Sequence, residues 1–417
     1  MSPMSPGPSS AMRAFALLLA ALCASCALPG KDRAEPPRIV IVTPSEASAP
    51  EEFRGAEALA LAYSAKGSKG EIAHAILPGA EASGNAKASG AVEARMRPSE
   101  ASVAAFIVDA ASDAKAVVVD PALPGSAEGF RRAKLAKPGL LCLAGGSREL
   151  PLAIEASADM VVDLDRAYRA YLIPWAAKKM GVKTLVAIYG QDGDADPSTA
   201  RERAIMSEAS TDLGLKYASM IAPKGADAVA YARAMTGAWL RDYGPDASLY
   251  SPDAELAVPL IAGSLAGGGL IVDEAGEATR STYAAAIGMD LGPARGDAKM
   301  ERALVERALD ALGVRGRFGE WDAGYARSSV EGLGEFALRV VEGRARKDVL
   351  KDLIAAIDSR SPGASWLAAY DIDPETGVRS ANRVLLRQDV YAFGSGYLQS
   401  ALQAVPEKYL SIRGPPQ

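Results

Sequence analysis

Histidine is nearly absent: His74 is the only one in 417 residues. That rules out a His-rich metal site, and a Ser-His-Asp arrangement would have to run through this single residue. Aromatic residues make up only 6% of the chain, too few for a base-stacking platform. No basic block or Lys/Arg stripe stands out, and 46 basic residues face 51 acidic ones for a formal charge of −5. No surface that tracks nucleic-acid phosphates, and no nucleic-acid partner, is therefore expected. Cysteine is scarce too. Cys23 and Cys26 lie in the first apolar run, residues 14–28, and Cys142 is the third. Once the chain is cut at Cys26, Cys142 is the only remaining free thiol, so no internal disulfide can form. The apolar run is itself too short to span a bilayer comfortably.

What is present at the start reads as a leader. Arg13 precedes the apolar run and small residues close it, the marks of a secretory signal peptide. Its end, Leu22-Cys23-Ala24-Ser25-Cys26, resembles the bacterial lipobox, in which the cysteine becomes the lipidated first residue. Cys26 fits better than Cys23, which follows Leu22 where a small residue is expected. The expectation is a signal peptide over 1–25, lipidation at Cys26 and a tether over 26–37. The protein would then be held extracytoplasmically in the cell envelope, joined to a membrane through its N-terminal lipid. A plain cleaved signal with incidental cysteines is the alternative.

With 49% hydrophobic and 23% charged residues, the rest has an ordinary globular profile. Arg38 to Thr43 is a short β-branched run, as expected of a strand buried on both faces. Strands and helices then alternate, predicting a parallel sheet with right-handed crossovers over 38–164. The same rhythm restarts, giving a second lobe over 165–316. Residues 317–345 return to the hinge and the first lobe. Residues 346–417 change pattern, to an amphipathic helix and a hairpin across Pro374-Glu375-Thr376-Gly377, read as a piece packed on one lobe. The fold class is α/β, two doubly wound lobes with a C-terminal α+β extension. Hinge crossings are expected near Asp163 to Arg166, Asp273 to Ala275 and Arg317 to Trp321.

Ligands of open parallel sheets bind beyond the carboxyl ends of the strands. The residues there are Ser45, Glu46, Asp120, Ser147 and Arg148 in the first lobe, and Tyr189, Gln191, Tyr250, Asp253 and Asp273 in the second. This mixture suits a small polar solute held between lobes. Each residue also has an ordinary reading as a turn or cap residue. Arg148, beside Gly145-Gly146, offers a bidentate fork for a carboxylate or phosphate, or else a surface ion pair with Glu149 or Glu155. Asp192, Asp194 and Asp196 alternate like the start of a calcium loop. Pro197 and Arg203 then stand where glycine and glutamate are needed, so a solvated loop is expected. Gly145-Gly146-Ser147-Arg148-Glu149 fails the nucleophile-elbow pattern at its last position, and His74 lies upstream of it. Neither enzyme chemistry nor a cofactor or metal is expected.

The family resemblance rests on short blocks in order: Arg38-Ile39-Val40-Ile41-Val42-Thr43, Glu51-Glu52-Phe53-Arg54-Gly55-Ala56-Glu57-Ala58, Lys115-Ala116-Val117-Val118-Val119, and Pro124-Gly125-Ser126-Ala127. Leu143-Ala144-Gly145-Gly146, Ala158-Asp159-Met160-Val161-Val162 and Lys179-Met180-Gly181-Val182-Lys183-Thr184 follow. Over residues 38–345 the chain resembles a type I periplasmic binding protein, and more closely a bacterial family of that superfamily defined as a domain of unknown function. The resemblance implies a two-lobed receptor that closes on a ligand, without saying which. Some sugar-binding relatives carry aromatics after the first strand; this chain has Pro44, Ser45 and Glu46 there. A regulator of the lac repressor kind shares the lobes but needs a DNA-binding helix pair where this chain has its leader. The expected role is a solute receptor working with an ABC-type permease or a sensor. The alternative is a structural or protein-interaction lipoprotein that uses Tyr391, Phe393 and Tyr397 as its contact surface.

Overall fold

The computed structural model describes residues 38–64, 71–78, 98–191, 197–223, 226–273, 280–294, 297–373 and 376–412. The leader with Cys26, the tether and the Asp192–Asp196 loop lie outside the described residues.

Strands β1 (Arg38–Thr43), β2 (Glu71–Ile76), β3 (Ala116–Val119), β4 (Leu141–Gly145) and β5 (Met160–Leu164) pair in parallel, side by side as β5-β4-β3-β1-β2. The near-continuous apolar runs of β1, β3, β4 and β5 are buried on both faces, as a sheet covered by helices on each side demands, while β2 is a half-buried edge strand. The two-residue period divides them. Val40, Val42, Val117, Val119 and Cys142 meet α2 (Glu100–Ala110) and α3 (Ser126–Ala136) through Ile107 and Phe130. Ile39, Ile41, Val118, Leu143 and Val162 face the other way, toward α1 (Pro50–Ser64) and α11 (Tyr325–Val341). The short α4 (Pro151–Ser157) links β4 to β5.

The second lobe begins with α5 (Arg166–Lys179), capped by Asp165, whose carboxylate accepts the Tyr168 N–H at 3.1 Å. Its sheet runs β7 (Lys216–Ala222), β6 (Thr184–Gly190), β8 (Ala247–Tyr250). Parallel bridges from Ser248 to Leu270 and from Ile271 to Phe318 extend it toward β9 (Gly319–Glu320). Around it lie α6 (Pro197–Asp212), α7 (Ala226–Tyr243), α8 (Ala257–Gly267), α9 (Arg280–Ala286) and α10 (Ala298–Ala311). Val186, Ile188, Leu249, Trp239, Leu260 and Phe318 form its core.

The C-terminal stretch is not a piece packed on one lobe; both sheets share it. After α12 (Leu350–Arg360), β10 (Leu367–Ile372) and β11 (Arg379–Arg387) form the expected hairpin. β11 lies parallel to β5, so the first sheet has seven strands, β10-β11-β5-β4-β3-β1-β2. The open edge of β5 is thereby paired, and Val384 and Leu386 join the core. β12 (Tyr391–Ala392) then pairs with β9 and with β13 (Gly396–Tyr397) in the second lobe. The tail follows α5 and α6: the Tyr168 hydroxyl donates to Ala401 O at 3.0 Å, and Arg201 donates to the carbonyls of Leu410 and Ile412, both at 2.7 Å. Of the three residues expected as a protein-interaction surface, Phe393 is buried, Tyr391 half-buried and Tyr397 exposed.

The crossings differ from expectation at one point. The chain passes between lobes at Asp165 and again after Glu320; of the expected crossing at Asp273 to Ala275, Glu274 and Ala275 lie outside the described residues, and the next described helix, α9, belongs to the second lobe. Tyr283 of α9 packs edge-on to Phe393 and Phe318 at 5.0 and 6.3 Å, which keeps that segment in the second lobe. The remaining crossing is Gln388 to Val390. There the Gln388 amide holds Ala323 from both sides, donating to its carbonyl at 2.7 Å and accepting its N–H at 3.3 Å. Two crossing segments are thus bonded to each other.

Candidate functional site

At the carboxyl end of the first sheet, the turn after β4 is held from below. Gly146 N–H is shared by Val162 O and the Tyr325 hydroxyl, each at 3.1 Å. Ser147 N–H reaches Asp163 Oδ1 at 2.7 Å, Arg148 N–H reaches Ala122 O at 2.8 Å, and Glu149 N–H reaches Ser147 Oγ at 3.2 Å. These donors are spent inside the protein, so the turn is not an open nest for phosphate. Asp120 is buried beneath it. A β-carbon on Gly145 would collide with the Asp120 carboxylate, which is why glycine ends this strand.

Arg148 stands exposed above this floor. Neither expected carboxylate pairs with it. Glu149 accepts the N–H groups of Gly125 and Ala127 at 2.8 and 3.2 Å, at the start of α3. Glu155 accepts from Ser380 Oγ at 2.7 Å and lies 3.7 Å from Arg383. Among the described residues the Arg148 guanidinium has no hydrogen-bond or ion-pair partner. After β1, two strand positions from β4, Ser45 is half-buried, and Glu46 is exposed and bonded to Arg54 at 3.0 Å.

In the second lobe, Gln191 is exposed at the end of β6 and Asp253 is half-buried beyond β8. Asp253 Oδ2 accepts the Gly190 N–H at 2.7 Å, and burial pushes this carboxyl above its ordinary range. Tyr189 and Tyr250 are enclosed. Tyr189 bonds the Tyr217 hydroxyl at 3.2 Å, and Tyr250 donates to Glu202 at 2.7 Å. Asp273 is buried and accepts two bonds from Arg169, at 2.9 and 2.8 Å. A cavity of about 10 Å³ between Tyr250, Ser251, Asp273 and Leu260 has room for about one water.

The ten residues expected at strand ends therefore fall into two sets. Ser45, Glu46, Ser147, Arg148, Gln191 and Asp253 reach solvent, while Asp120, Tyr189, Tyr250 and Asp273 form the foundation beneath them. Of the groups that tie this foundation to the crossings, sequence reasoning missed Arg169 and saw Asp163 and Asp165 only as part of a crossing. Arg169 lies 5.1 Å from the Trp321 ring and 5.7 Å from that of Tyr250. Burial alone would lower its pKa, but Asp273, Tyr250 and Glu202 raise it, so the guanidinium stays charged. Asp163 is raised by burial, although Arg383 at 3.0 Å and the Ser147 N–H oppose the shift. Asp165 is pushed by burial to about 6, against the Tyr168 N–H and Arg387. The available signals were an arginine inside the apolar run of α5 and the close pair Asp163 and Asp165 after β5.

His74 donates from Nε2 to Thr43 Oγ1 at 2.8 Å, since the Thr43 hydroxyl is already committed to Pro44 O. It sits on β2, three strand positions from β4 and so roughly 14 Å from the Ser147 turn. Among the described residues, no group of three or more His, Cys, Asp or Glu side chains could hold a metal ion.

Two parallel-sheet lobes joined by crossings near the carboxyl ends of their strands define the type I periplasmic-binding-protein-like fold. Residues 38–319 match the family model described as "Protein of unknown function (DUF3798)", and a second, undescribed family model matches residues 330–412. The chain belongs to the DUF3798 family. A Treponema pallidum (strain Nichols) protein described as uncharacterized is 32% identical over 211 residues, which are 49% of this chain and 95% of that one. The crystal structure of a candidate transcriptional regulator from Clostridium difficile 630 is similar with a TM-score of 0.70 at 15% identity, covering 86% of this chain and 99% of that one. A sugar ABC-transport substrate-binding protein from Bordetella parapertussis 12822 has a TM-score of 0.45 at 15% identity, over 92% and 95% of the two chains.

Proposed function

We propose that this protein is a lipid-anchored extracytoplasmic receptor that closes its two lobes on a small polar solute, which it passes to an ABC-type permease or reports to a sensor. The observation that supports the reading is that solvent-reaching polar groups stand at strand ends in both sheets. These are Ser147 and Arg148, which has no partner among the described residues, in the first sheet, and Gln191 and Asp253 in the second. Ligand contacts made only when the lobes close would shift an open–closed equilibrium, for which a few kcal/mol of differential binding is enough. The Gln388–Ala323 bonds make two of the crossings move together, favouring a rigid-body hinge over loop rearrangement.

A thermal-shift panel of nucleosides, amino acids, carboxylates, sugars and polyamines tests this. A ligand at a hundred times its dissociation constant stabilises by about 2.7 kcal/mol. One class of hits is expected. A flat panel, on protein that native mass spectrometry shows to carry nothing, would favour the interaction role instead.

A further inference from the structure

The end of the first lobe opposite the candidate site, where its parallel strands start, gathers cations from segments far apart in sequence. Arg38 begins β1 and pairs with Asp113. Lys115 donates its N–H to Arg38 O at 2.8 Å. Lys137 Nζ reaches Ser112 O and Ala114 O at 3.2 and 2.6 Å, which brings the end of α3 to the same place. Asp159, before β5, is shared by Lys134 and Lys347 at 2.9 and 2.7 Å, which adds the loop after α11.

Of the carboxylates here, Asp113 is taken by Arg38, Asp159 by two lysines and Glu342 by Arg344, while Asp352 accepts the Arg346 N–H at 2.8 Å and Asp348 is exposed; cations still outnumber them. Lys115, Arg132, Arg346 and Lys351 are exposed, and among the described residues their charged groups have no ion-pair partner. Leu135, 71% exposed, stands between Arg132 and Lys137. A basic face of this kind, on a chain with a formal charge of −5, is a local feature and not a consequence of composition.

We infer that this face docks on a membrane surface through anionic phospholipid headgroups. Charge complementarity is one support. The other is where the chain outside the described fold joins it. Arg38 lies on this face, and a lipid on Cys26 would leave residues 26–37 as tether, at most about 40 Å fully extended. The face would meet the headgroups, and the carboxyl ends of the strands would point away from the membrane. The inference rests on the lipid anchor of the proposed function but not on solute binding.

The test uses the full chain with Cys23→Ser and Cys26→Ser, so that no lipid is attached, and vesicles of phosphatidylcholine with or without phosphatidylglycerol. The leader and tether, with Arg13, Lys31 and Arg33, are common to the parent and both variants below, so their contribution cancels between the chains compared. Partitioning onto the anionic vesicles should be stronger, by about fivefold for each uncovered cation, and should fade as salt rises. The combined Lys115→Ala, Arg132→Ala, Arg346→Ala and Lys351→Ala variant should lose the preference while keeping its melting temperature. A control removing Lys178, Lys216, Arg233 and Arg241 from the second lobe should keep it. Equal partitioning of the parent chain, or equal loss in both variants, overturns the inference. So does a parent dimer that only the first variant dissociates, which would assign the face to a second copy of the chain.

Discussion

Arg169 and Asp273, 104 positions apart in the chain, form a buried two-bond ion pair at the junction of the second sheet with the crossing at Trp321. Removing one member of such a pair leaves an uncompensated buried charge, which typically costs about 3–5 kcal/mol. We expect Arg169→Met to destabilise the fold by that order in urea denaturation. Arg169→Met with Asp273→Leu should recover most of the loss. Single and double variants of equal stability would show that the pair is not coupled.

Arg148 should matter to binding and not to folding. Its side chain is exposed and without a partner among the described residues, so Arg148→Ala should leave the melting temperature unchanged. Affinity for the panel's hit should fall, as read by calorimetry. Unchanged affinity would remove Arg148 from the site.

Asp165 gives a pH signature with a definite sign. Its carboxyl holds a proton up to about 6 in the fold, against about 3.9 in an unfolded chain. The native state therefore binds more protons between those values, and the contribution of Asp165 to stability declines as pH rises from about 4 to about 6. Asp165→Asn keeps an acceptor for the Tyr168 N–H but cannot titrate. The stability of the wild type relative to this variant should drop by an amount on the order of 3 kcal/mol across that window and then level off. A difference that stays constant with pH would contradict this.

Gly145→Ala places a methyl group against the buried Asp120 carboxylate, whereas Gly139→Ala enters open space. The first should cost about 1–3 kcal/mol, as overpacking does, and the second close to nothing. Thermal melts of the two variants make the comparison.

Cys142 is enclosed mid-strand, and burial pushes its thiol up to about 12. Peptide mapping after iodoacetamide treatment should find it unmodified in native protein and modified after denaturation. Labelling of the native protein would contradict the packing of β4.

The two parallel sheets were legible because their strands are near-continuous apolar runs with few polar interruptions. The hairpin of β10 and β11 was legible as well, from its turn residues. Its placement was not, because pairing with β5 depends on an open sheet edge created some 220 residues earlier in the chain. For the same reason the third crossing was sought after Asp273 and lies at Gln388. Strand-end residues could be named from sequence, but the name alone does not say which reach solvent. Tyr189 and Tyr250 end strands as Gln191 and Asp253 do, yet partners from α6 and β7 enclose them. The basic face was not read from the sequence, since its two short cation runs, Arg131 to Lys137 and Arg344 to Lys347, stand more than 200 residues apart and meet only in the fold.

The most direct test of the receptor reading is calorimetric titration of the panel's best hit into the wild type and into the Arg148→Ala, Asp253→Asn double variant. One ligand bound per chain, with binding lost or greatly weakened in the double variant at an unchanged melting temperature, is the expected result. Equal binding by both proteins would place the ligand elsewhere and contradict a site formed between the carboxyl ends of the two sheets.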